Sequence, residues 1–212
     1  MPIIILGILV LIAGIFLQRS HEYGRFAKVV LAVAILVMLI GVLTKCIIQI
    51  GAGEIGVKSL FGKVQNDVLS SGLNFINPLV EVKRLDVKTQ NYTMSGIRDE
   101  GAESGDDAIR VLTSDGLEVT IDLTVLYKLL PSEAPRLLRE TGDDYTDKIV
   151  RPVTRTKIRD NSVYYEAIAL YSTKRDEFQQ RIFNTIDNDF KKRGLILEQL
   201  LVRNITLPQS VK

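Results

Sequence analysis

Two long uncharged stretches open the chain. The first covers Ile3–Leu17, and the second covers Val29–Thr44 and continues past Lys45 to Ile50. A helix needs about 20 mainly apolar residues to cross about 30 Å of hydrocarbon, because it rises 1.5 Å per residue. The second stretch meets this length if the flanking lysines extend their ammonium groups to the two interfaces. The first is shorter, and it can form either a second span or one arm of a re-entrant hairpin.

A short polar segment, Gln18–Lys28, separates the two stretches and contains Arg19, Arg25 and Lys28. By the positive-inside tendency, this basic loop faces the cytoplasm. With two spans, the body that follows then lies on the non-cytoplasmic face. A single span would reverse this orientation. Lys45, a basic residue at the far end of the second stretch, also argues against a body on the non-cytoplasmic face.

The pattern changes at Gly51 to short runs of Val, Ile, Leu and Phe broken by Gly, Asn, Asp and Ser, which predicts several strands joined by tight turns. Apolar residues alternate with intervening residues over 117–128, and five of the six intervening residues are polar, which predicts a strand with one buried face and one solvated face. Asp115-Gly116 is a favoured hairpin dipeptide, and it pairs this strand with Ala108–Thr113. The predicted buried face consists of Leu117, Val119, Ile121, Leu123, Val125 and Tyr127.

The remainder of the chain favours helices. A short helix is predicted from Ser132 to the residue before Gly142, and a second from Arg151–Pro152 to Asp160–Asn161. The longest begins near Ser172 or Thr173 and stops at Gly194, which supplies a left-handed cap. Its apolar stripe, which repeats every fourth residue, consists of Phe178, Ile182, Ile186 and Phe190.

A final strand is predicted over Leu195–Leu207, with a bulge where the alternation breaks near Gln199–Leu200. The fold class is therefore α+β. Residues 1–50 are expected to form a membrane anchor, residues 51–130 a β-rich half, and residues 131–208 an α/β half.

Composition and charge narrow the function classes. The first fifty residues carry +3 of the chain's net charge of +2, so the other 162 residues sum to −1. A nearly neutral body without a basic run is not expected to bind nucleic acid. Cys46 is the only cysteine, which excludes an internal disulfide and a zinc site built from several thiolates.

Catalytic motifs lack the contexts that they require. Gly51–Gly56 matches G-x-G-x-x-G, but an apolar anchor precedes it and a strand-like segment follows, where a nucleotide site needs a strand and then a helix. The only histidine, His21, lies between the apolar stretches, so the body cannot hold a triad that uses histidine. We expect no catalytic and no cofactor-binding residues.

Acidic residues cluster at Asp99–Asp107, which we interpret as a solvated loop, and at Asp143, Asp144 and Asp147. Neither cluster has EF-hand spacing, and charge runs are usually solvated, so no metal site is predicted.

Three arginines, Arg151, Arg155 and Arg159, repeat every fourth residue on one helix face. The face is either solvated or an intersubunit stripe that meets Asp143, Asp144 and Asp147 of a neighbouring copy, where complementary charge would fix the register. We take these six residues as the candidate oligomer interface.

Four segments resemble, in order, the stomatin/prohibitin/flotillin (SPFH, or band 7) superfamily. Its strand, turn and G-L-x-F-x-x-P opening resembles GEIGVKSLFGKVQNDVLSSGLNFINPLVEVKRLDVKTQNYTM. Its T-x-D-G strand pair and its Pro-initiated helix resemble LTSDGLEVTIDLTVLYKL and VRPVTRTKIRDN. Its last helix, G-[IL] turn and final strand resemble STKRDEFQQRI, FKKRGLILEQLL and VRNITLP. Bacterial prohibitin-like members are the most similar.

The resemblance implies a non-enzymatic membrane scaffold. It also implies that identical subunits form a ring or cage, which organises lipids and membrane partners such as an AAA protease. The bacterial inner membrane is the expected location, with the body on its non-cytoplasmic face. Family members continue into a coiled-coil helix, so residues 209–212 are expected to begin a linker to a helix that this sequence lacks. The alternatives are a membrane-tethered hydrolase or accessory subunit, and a lipid- or sterol-binding module marked by an apolar cavity in the β-rich half.

Overall fold

The chain begins with two antiparallel helices, α1 (Pro2–Gln18) and α2 (Gly24–Leu43). They are seen in a computed structural model that describes residues 2–18, 24–97, 100–102 and 105–207. Of the predicted basic loop, residues 19–23, with Arg19 and His21, lie outside these residues. Arg25 and Lys28 lie in the first turns of α2, so this helix begins before the predicted start at Val29. Among the described helices, only α2, over Phe26–Leu43, is both long enough and apolar enough to cross a membrane. The apolar part of α1, Ile5–Phe16, is shorter.

Small residues let the two helices approach closely. Gly7 and Gly14 are buried on α1, and Ala27 and Ala34 are fully buried on α2. Each pair is seven residues apart, so its members lie on one helix face. A β-carbon at Gly7 would lie 2.6 Å from Cγ of Met38, which leaves no room for a larger residue. Close backbone approach of this kind stabilises helix pairs in lipid, where the hydrophobic effect does not act between helices.

The second apolar stretch is helical only as far as Leu43, which corrects the prediction that the anchor continues to Ile50. The amides of Lys45 and Cys46 donate to carbonyls three residues back and so tighten the last turn. Ile47–Ile50 then forms strand β1. Its backbone pairs with β4 (Gly72–Phe75), which satisfies groups that a continuing helix would otherwise have satisfied.

A three-stranded antiparallel sheet in the order β3-β2-β5 follows. It consists of β2 (Glu54–Leu60), β3 (Lys63–Leu69) and β5 (Val80–Asp86). The second sheet consists of β6 (Gln90–Met94), β7 (Ile109–Leu112), β8 (Glu118–Leu129) and β9 (Leu195–Thr206), with β8 in the centre. Because β9 pairs with β8, the predicted boundary at residue 130 falls inside a sheet that both halves share.

The alternating face of β8 is confirmed. Its residues from Val119 to Tyr127 are at most 1% exposed, and Leu117 is half-buried. The opposite face, predicted to be solvated, is partly covered. Asp122 and Thr124 are only 7% and 8% exposed. The segment after β6 lies against them, and Gly96 donates its backbone amide to the Asp122 carboxylate.

The β7–β8 hairpin is confirmed, with a longer loop than the dipeptide indicates. Thr113 donates its amide to the carbonyl of Leu117, which leaves Ser114, Asp115 and Gly116 in the loop. Gly116 alone adopts positive φ there, at +75°. The loop is therefore of the three-residue class that ends in a left-handed residue.

The helices of the body are α3 (Ala134–Glu140), α4 (Arg151–Ser162), α5 (Ala167–Tyr171) and α6 (Arg175–Lys192). A 3₁₀ turn at Pro131–Glu133 precedes α3, and Ser132 makes no capping bond. A π-helical turn at Thr146–Val150 runs directly into α4, so this helix begins earlier than its proline indicates.

The stripe of α6 is confirmed, because Phe178, Ile182, Ile186 and Phe190 are fully buried where α6 packs on β9. Gly194 adopts φ of +80°, as predicted, and a β-carbon there would collide with Glu133. The register of β9 shifts twice, which leaves Glu198 and Arg203 as bulged residues. The first bulge lies one residue before the predicted position, and the sequence did not indicate the second.

Candidate membrane and subunit interfaces

Arg151 and Arg155 bind a buried carboxylate of their own chain. An Nη2 atom of each guanidinium lies 2.5 Å from Oδ1 of Asp107, whose side chain is only 4% exposed. Arg155 also donates to the backbone carbonyl of Asp107 at 2.6 Å. The hydroxyl of Tyr92 reaches the other carboxylate oxygen at 3.5 Å. We call Asp107, Arg151 and Arg155 the Asp107 cluster.

The fold brings this cluster together for local reasons. The amide of Asp107 donates to the carbonyl of Ser95, so residues 95 and 107 form the neck of the loop between β6 and β7. The two arginines are one helical turn apart at the start of α4, and α4 packs against β7. Asp107 therefore ties the loop to the helix, which corrects the interpretation of Asp99–Asp107 as wholly solvated. Asp99 and Glu103 lie outside the described residues.

The other four members of the candidate oligomer interface differ in whether they form an ion pair within the chain. Asp143 forms an ion pair with Lys83 on β5, and this ammonium group holds the pKa of the carboxyl below its ordinary value. Asp144, Asp147 and Arg159 are exposed, and none of the three makes an ion pair within the part of the chain that the structure describes. Only these three remain available to a neighbouring copy.

Polar contacts join the two halves of the body where β6 and β8 meet the π-helical turn. Tyr127 exchanges a hydrogen bond of 2.9 Å with Thr146, and Gln90 donates to Tyr145 at 2.8 Å. Burial raises the pKa of both tyrosines, because it disfavours the charged phenolate. Within the described ranges, no group of three or more His, Cys, Asp or Glu residues could hold a metal ion.

One end of the β-rich half lies beside the end of α2. Strand β1 leaves α2 directly, and the amide of Ile76 donates to the carbonyl of Cys46, which places the β4–β5 loop there as well. Leu60 pairs with Val80, so the β2–β3 turn lies at the same end. We call this end, with the turn at residues 61–62 and the loop at residues 76–79, the helix-proximal end.

Large apolar side chains at the helix-proximal end are exposed. Phe61 is 85% exposed, Phe75 81% and Leu79 61%. Scattered exposed apolar residues are ordinary, but a group of them on one surface marks an interaction with another molecule or with a membrane. Their position beside the candidate span favours the membrane.

Phe61 also carries backbone strain. With Gly62 it forms a two-residue turn, and Phe61 adopts φ of +49°, the only positive φ of a residue other than glycine in the described ranges. The left-handed conformation costs such a residue roughly 1–2 kcal/mol. Asparagine or glycine would be the usual choice at this position. Packing within the chain gives Phe61 no compensation, because the ring is exposed.

Comparison with known proteins gives two findings. The family model described as SPFH domain / Band 7 family matches residues 48–212. Prohibitin 1 of Drosophila melanogaster is 22% identical over 191 residues, which cover 89% of this chain and 63% of that protein. The chain therefore spans less than two thirds of the length of this relative.

Proposed function

Because the chain belongs to the SPFH domain / band 7 family, we propose that it is a non-enzymatic scaffold that stands on a membrane and assembles with copies of itself into a ring or cage. Its similarity to a prohibitin supports a prohibitin- or stomatin-type scaffold. In this proposal, the assembly organises the surrounding lipids and holds a membrane partner, such as an AAA protease.

The observation that carries this proposal is the helix-proximal end. The candidate span at Phe26–Leu43 ends four residues before the body begins at Ile47, so the body starts at the membrane surface. Phe61, Phe75 and Leu79 are exposed at this end. Burying one such side chain contributes about 1.5–3 kcal/mol, which would hold the body against the bilayer and offset the strain at Phe61.

The orientation that we propose follows from the helical hairpin. If both helices cross, the basic segment with Arg19, Arg25 and Lys28 faces the cytoplasm and the body lies on the non-cytoplasmic face of a bacterial inner membrane. Protease added to intact spheroplasts should then digest the body. Digestion only in inverted vesicles would contradict this orientation.

A ring of identical subunits needs two different patches that meet head to tail. Of the six candidate interface residues, Arg159 on one copy and Asp144 or Asp147 on the next are the ones left for such a contact. Each exposed pair contributes at most about 1 kcal/mol, so charge would set the register while other contacts hold the subunits.

Contact of the helix-proximal end with lipid can be measured with an environment-sensitive fluorophore. In a Cys46→Ser background, single cysteines at Phe61 and Phe75 are labelled with nitrobenzoxadiazole, and the chain is reconstituted into liposomes. Both labels should shift to shorter wavelength and be quenched by lipid-borne quenchers. A label at Ala52, an exposed residue at the opposite end of β2, is the control and should report water. Equal spectra at all three positions would contradict the proposed membrane contact.

Assembly can be measured by light scattering of the longest natural form in mild detergent. At micromolar protein and low salt, we expect large assemblies that weaken as salt rises, because screening acts on exposed charge pairs. Arg159→Glu should weaken them, and adding Asp144→Arg should partly restore them. A monodisperse monomer under these conditions would refute the scaffold proposal.

A further inference from the structure

Helices α4 and α6 lie side by side and run antiparallel, so they form one flank of the α/β half. Lys157 in the middle of α4 pairs with Asp189 near the end of α6. Asn161 near the end of α4 donates to Thr185, one turn earlier on α6. The two ends of this flank carry different exposed features, and contacts within the chain do not use them.

A small hollow lies at the end of the flank where α4 begins and α6 ends. Its volume is about 250 Å³, and Pro152, Val153 and Thr156 contribute to its lining. This volume is below the range of 300–1,000 Å³ that is typical of sites for small molecules, and it suits one inserted side chain. Arg193 also lines the hollow, is exposed, and makes no ion pair or side-chain hydrogen bond with another described residue. We call this feature the α4 hollow.

The opposite end of the flank presents an apolar projection where α4 ends. Val163 is 49% exposed and Tyr164 is 64% exposed. The guanidinium carbon of Arg181 lies 4.4 Å from the centroid of the Tyr164 ring, and Arg181 also donates to Asn161. This stacking holds the ring in place, so less side-chain freedom is lost when a partner covers it. Tyrosine is also enriched in protein interfaces.

Both ends of the flank have free charges of both signs. Beside Tyr164, Arg159 and Asp160 are exposed, and neither makes an ion pair with another described residue. Beside the α4 hollow, the free cation is Arg193, and a free carboxylate is Asp147 in the π-helical turn that leads into α4. A contact between the two ends therefore gives each of these charges an opposite partner. Because the complementary surface is already on the chain, a second copy is favoured over an unrelated partner.

We propose that the Tyr164 side chain of one copy inserts into the α4 hollow of the next copy in the ring. This inference rests on the proposed function, and it names the contact that holds the subunits together while charge sets the register. Beside the inserted ring, Asp160 faces Arg193 of the next copy, and Arg159 faces Asp147. A buried aromatic residue surrounded by weaker rim contacts is the usual form of an interface hot spot. The projection and the hollow are the two different patches that a closed ring needs.

Disulfide cross-linking of the full chain in mild detergent at low salt tests this contact. In a Cys46→Ser background, cysteines replace Val163 in the projection and Thr156 in the α4 hollow. The two positions are seven residues apart on α4, about 10 Å, which is too far for a disulfide within one copy. Oxidation should therefore give a ladder of dimers, trimers and larger species on a non-reducing gel. Either single cysteine alone should give less than a tenth of this product, and the two single variants expressed together should stop at dimers.

The control pair is Thr156→Cys with Asn91→Cys. Asn91 is an exposed residue of β6, and its side chain points away from the face of the neighbouring buried Tyr92, so this pair should give no ladder. In the chain with both test cysteines, Tyr164→Ala should lower the yield of cross-links at least tenfold, because it removes the side chain that fills the hollow.

Charge reversal in the same double-cysteine chain tests the rim of the contact. Asp160→Arg should lower the yield at least threefold, and adding Arg193→Asp should restore most of it. Glu118→Arg is the matched control, because it makes the same change at an exposed carboxylate of β8 that has no ion pair with another described residue. It should leave the yield unchanged.

Light scattering on the same samples separates this inference from the proposed function. Large assemblies that give no ladder, or a ladder that Tyr164→Ala leaves unchanged, would overturn the contact and leave the scaffold proposal standing. Cross-linked dimers from Val163→Cys alone would indicate a two-fold contact and would also overturn it. A monodisperse monomer without cross-links would overturn the scaffold proposal itself.

Discussion

Replacing Arg155 by glutamate is expected to lower the free energy of unfolding by on the order of 3–5 kcal/mol. The Asp107 side chain is only 4% exposed, and Arg155 gives it one of its two guanidinium partners. The substitution removes that partner and places a second carboxylate beside the first in a region of low dielectric. Thermal or denaturant unfolding of the full chain in mild detergent, followed by circular dichroism, measures the change.

Arg159→Glu is the matched control, because Arg159 lies one turn further along α4 and is exposed. Its effect on stability should stay within about 0.5 kcal/mol. The double variant Asp107→Asn/Arg155→Gln should be more stable than Arg155→Glu, since it removes the buried carboxylate and leaves only Arg151, whose side chain is 38% exposed and can be solvated. Equal free energies of unfolding for the Arg155→Glu and Arg159→Glu variants would contradict the role that we assign to the Asp107 cluster.

The same reasoning changes how the subunit interface can be tested. A loss of assembly in Arg155→Glu would report damage to the subunit itself, and no substitution at Asp144 could restore it. Arg159 is therefore the arginine of the stripe that can test contact between copies.

Leu123→Asp is expected to destabilise the body by several kcal/mol, enough to unfold a domain of ordinary stability. Leu123 is fully buried in the centre of β8, with β6 on one side and β9 on the other. A carboxylate there has no partner on the buried face and would have to be protonated or drawn into solvent. Unfolding of the full chain in denaturant is the measurement.

Leu112→Asp makes the same chemical change on the neighbouring strand β7, where the side chain is 59% exposed. It should cost at most about 1 kcal/mol, including repulsion from Glu118 directly opposite. If the denaturant concentration at the unfolding midpoint of Leu123→Asp is close to that of Leu112→Asp, the buried face of β8 is assigned incorrectly.

The sequence predicts the buried face of an element best where one hydrophobic periodicity continues over a long segment. The buried face of β8 and the stripe of α6 each repeat over several residues, so local pattern and burial agree. The cap at Gly194 follows from chemistry equally local, because a left-handed residue without a β-carbon is needed there.

The features that the sequence did not reveal depend on contacts that are distant along the chain. Asp107 resembles its acidic neighbours until the fold brings α4, more than forty residues later, to its side. Ile47–Ile50 resembles the end of an apolar span, because a buried strand and a buried helix cannot be distinguished by hydropathy over four residues. Backbone pairing with Gly72–Phe75 is what makes Ile47–Ile50 a strand.

The two bulges in β9 have a consequence for chains crowded together on a membrane. β9 is twelve residues long, and β8 is its one partner in the described sheet, which leaves an open edge. Bulges at Glu198 and Arg203 interrupt its regular spacing, and the guanidinium of Arg175 binds the carbonyls of Val202 and Arg203. An irregular, charged edge is a poor template for a strand from another molecule. High local concentration should therefore not convert neighbouring bodies into a continuous intermolecular sheet, and the molecules can remain densely packed without aggregating.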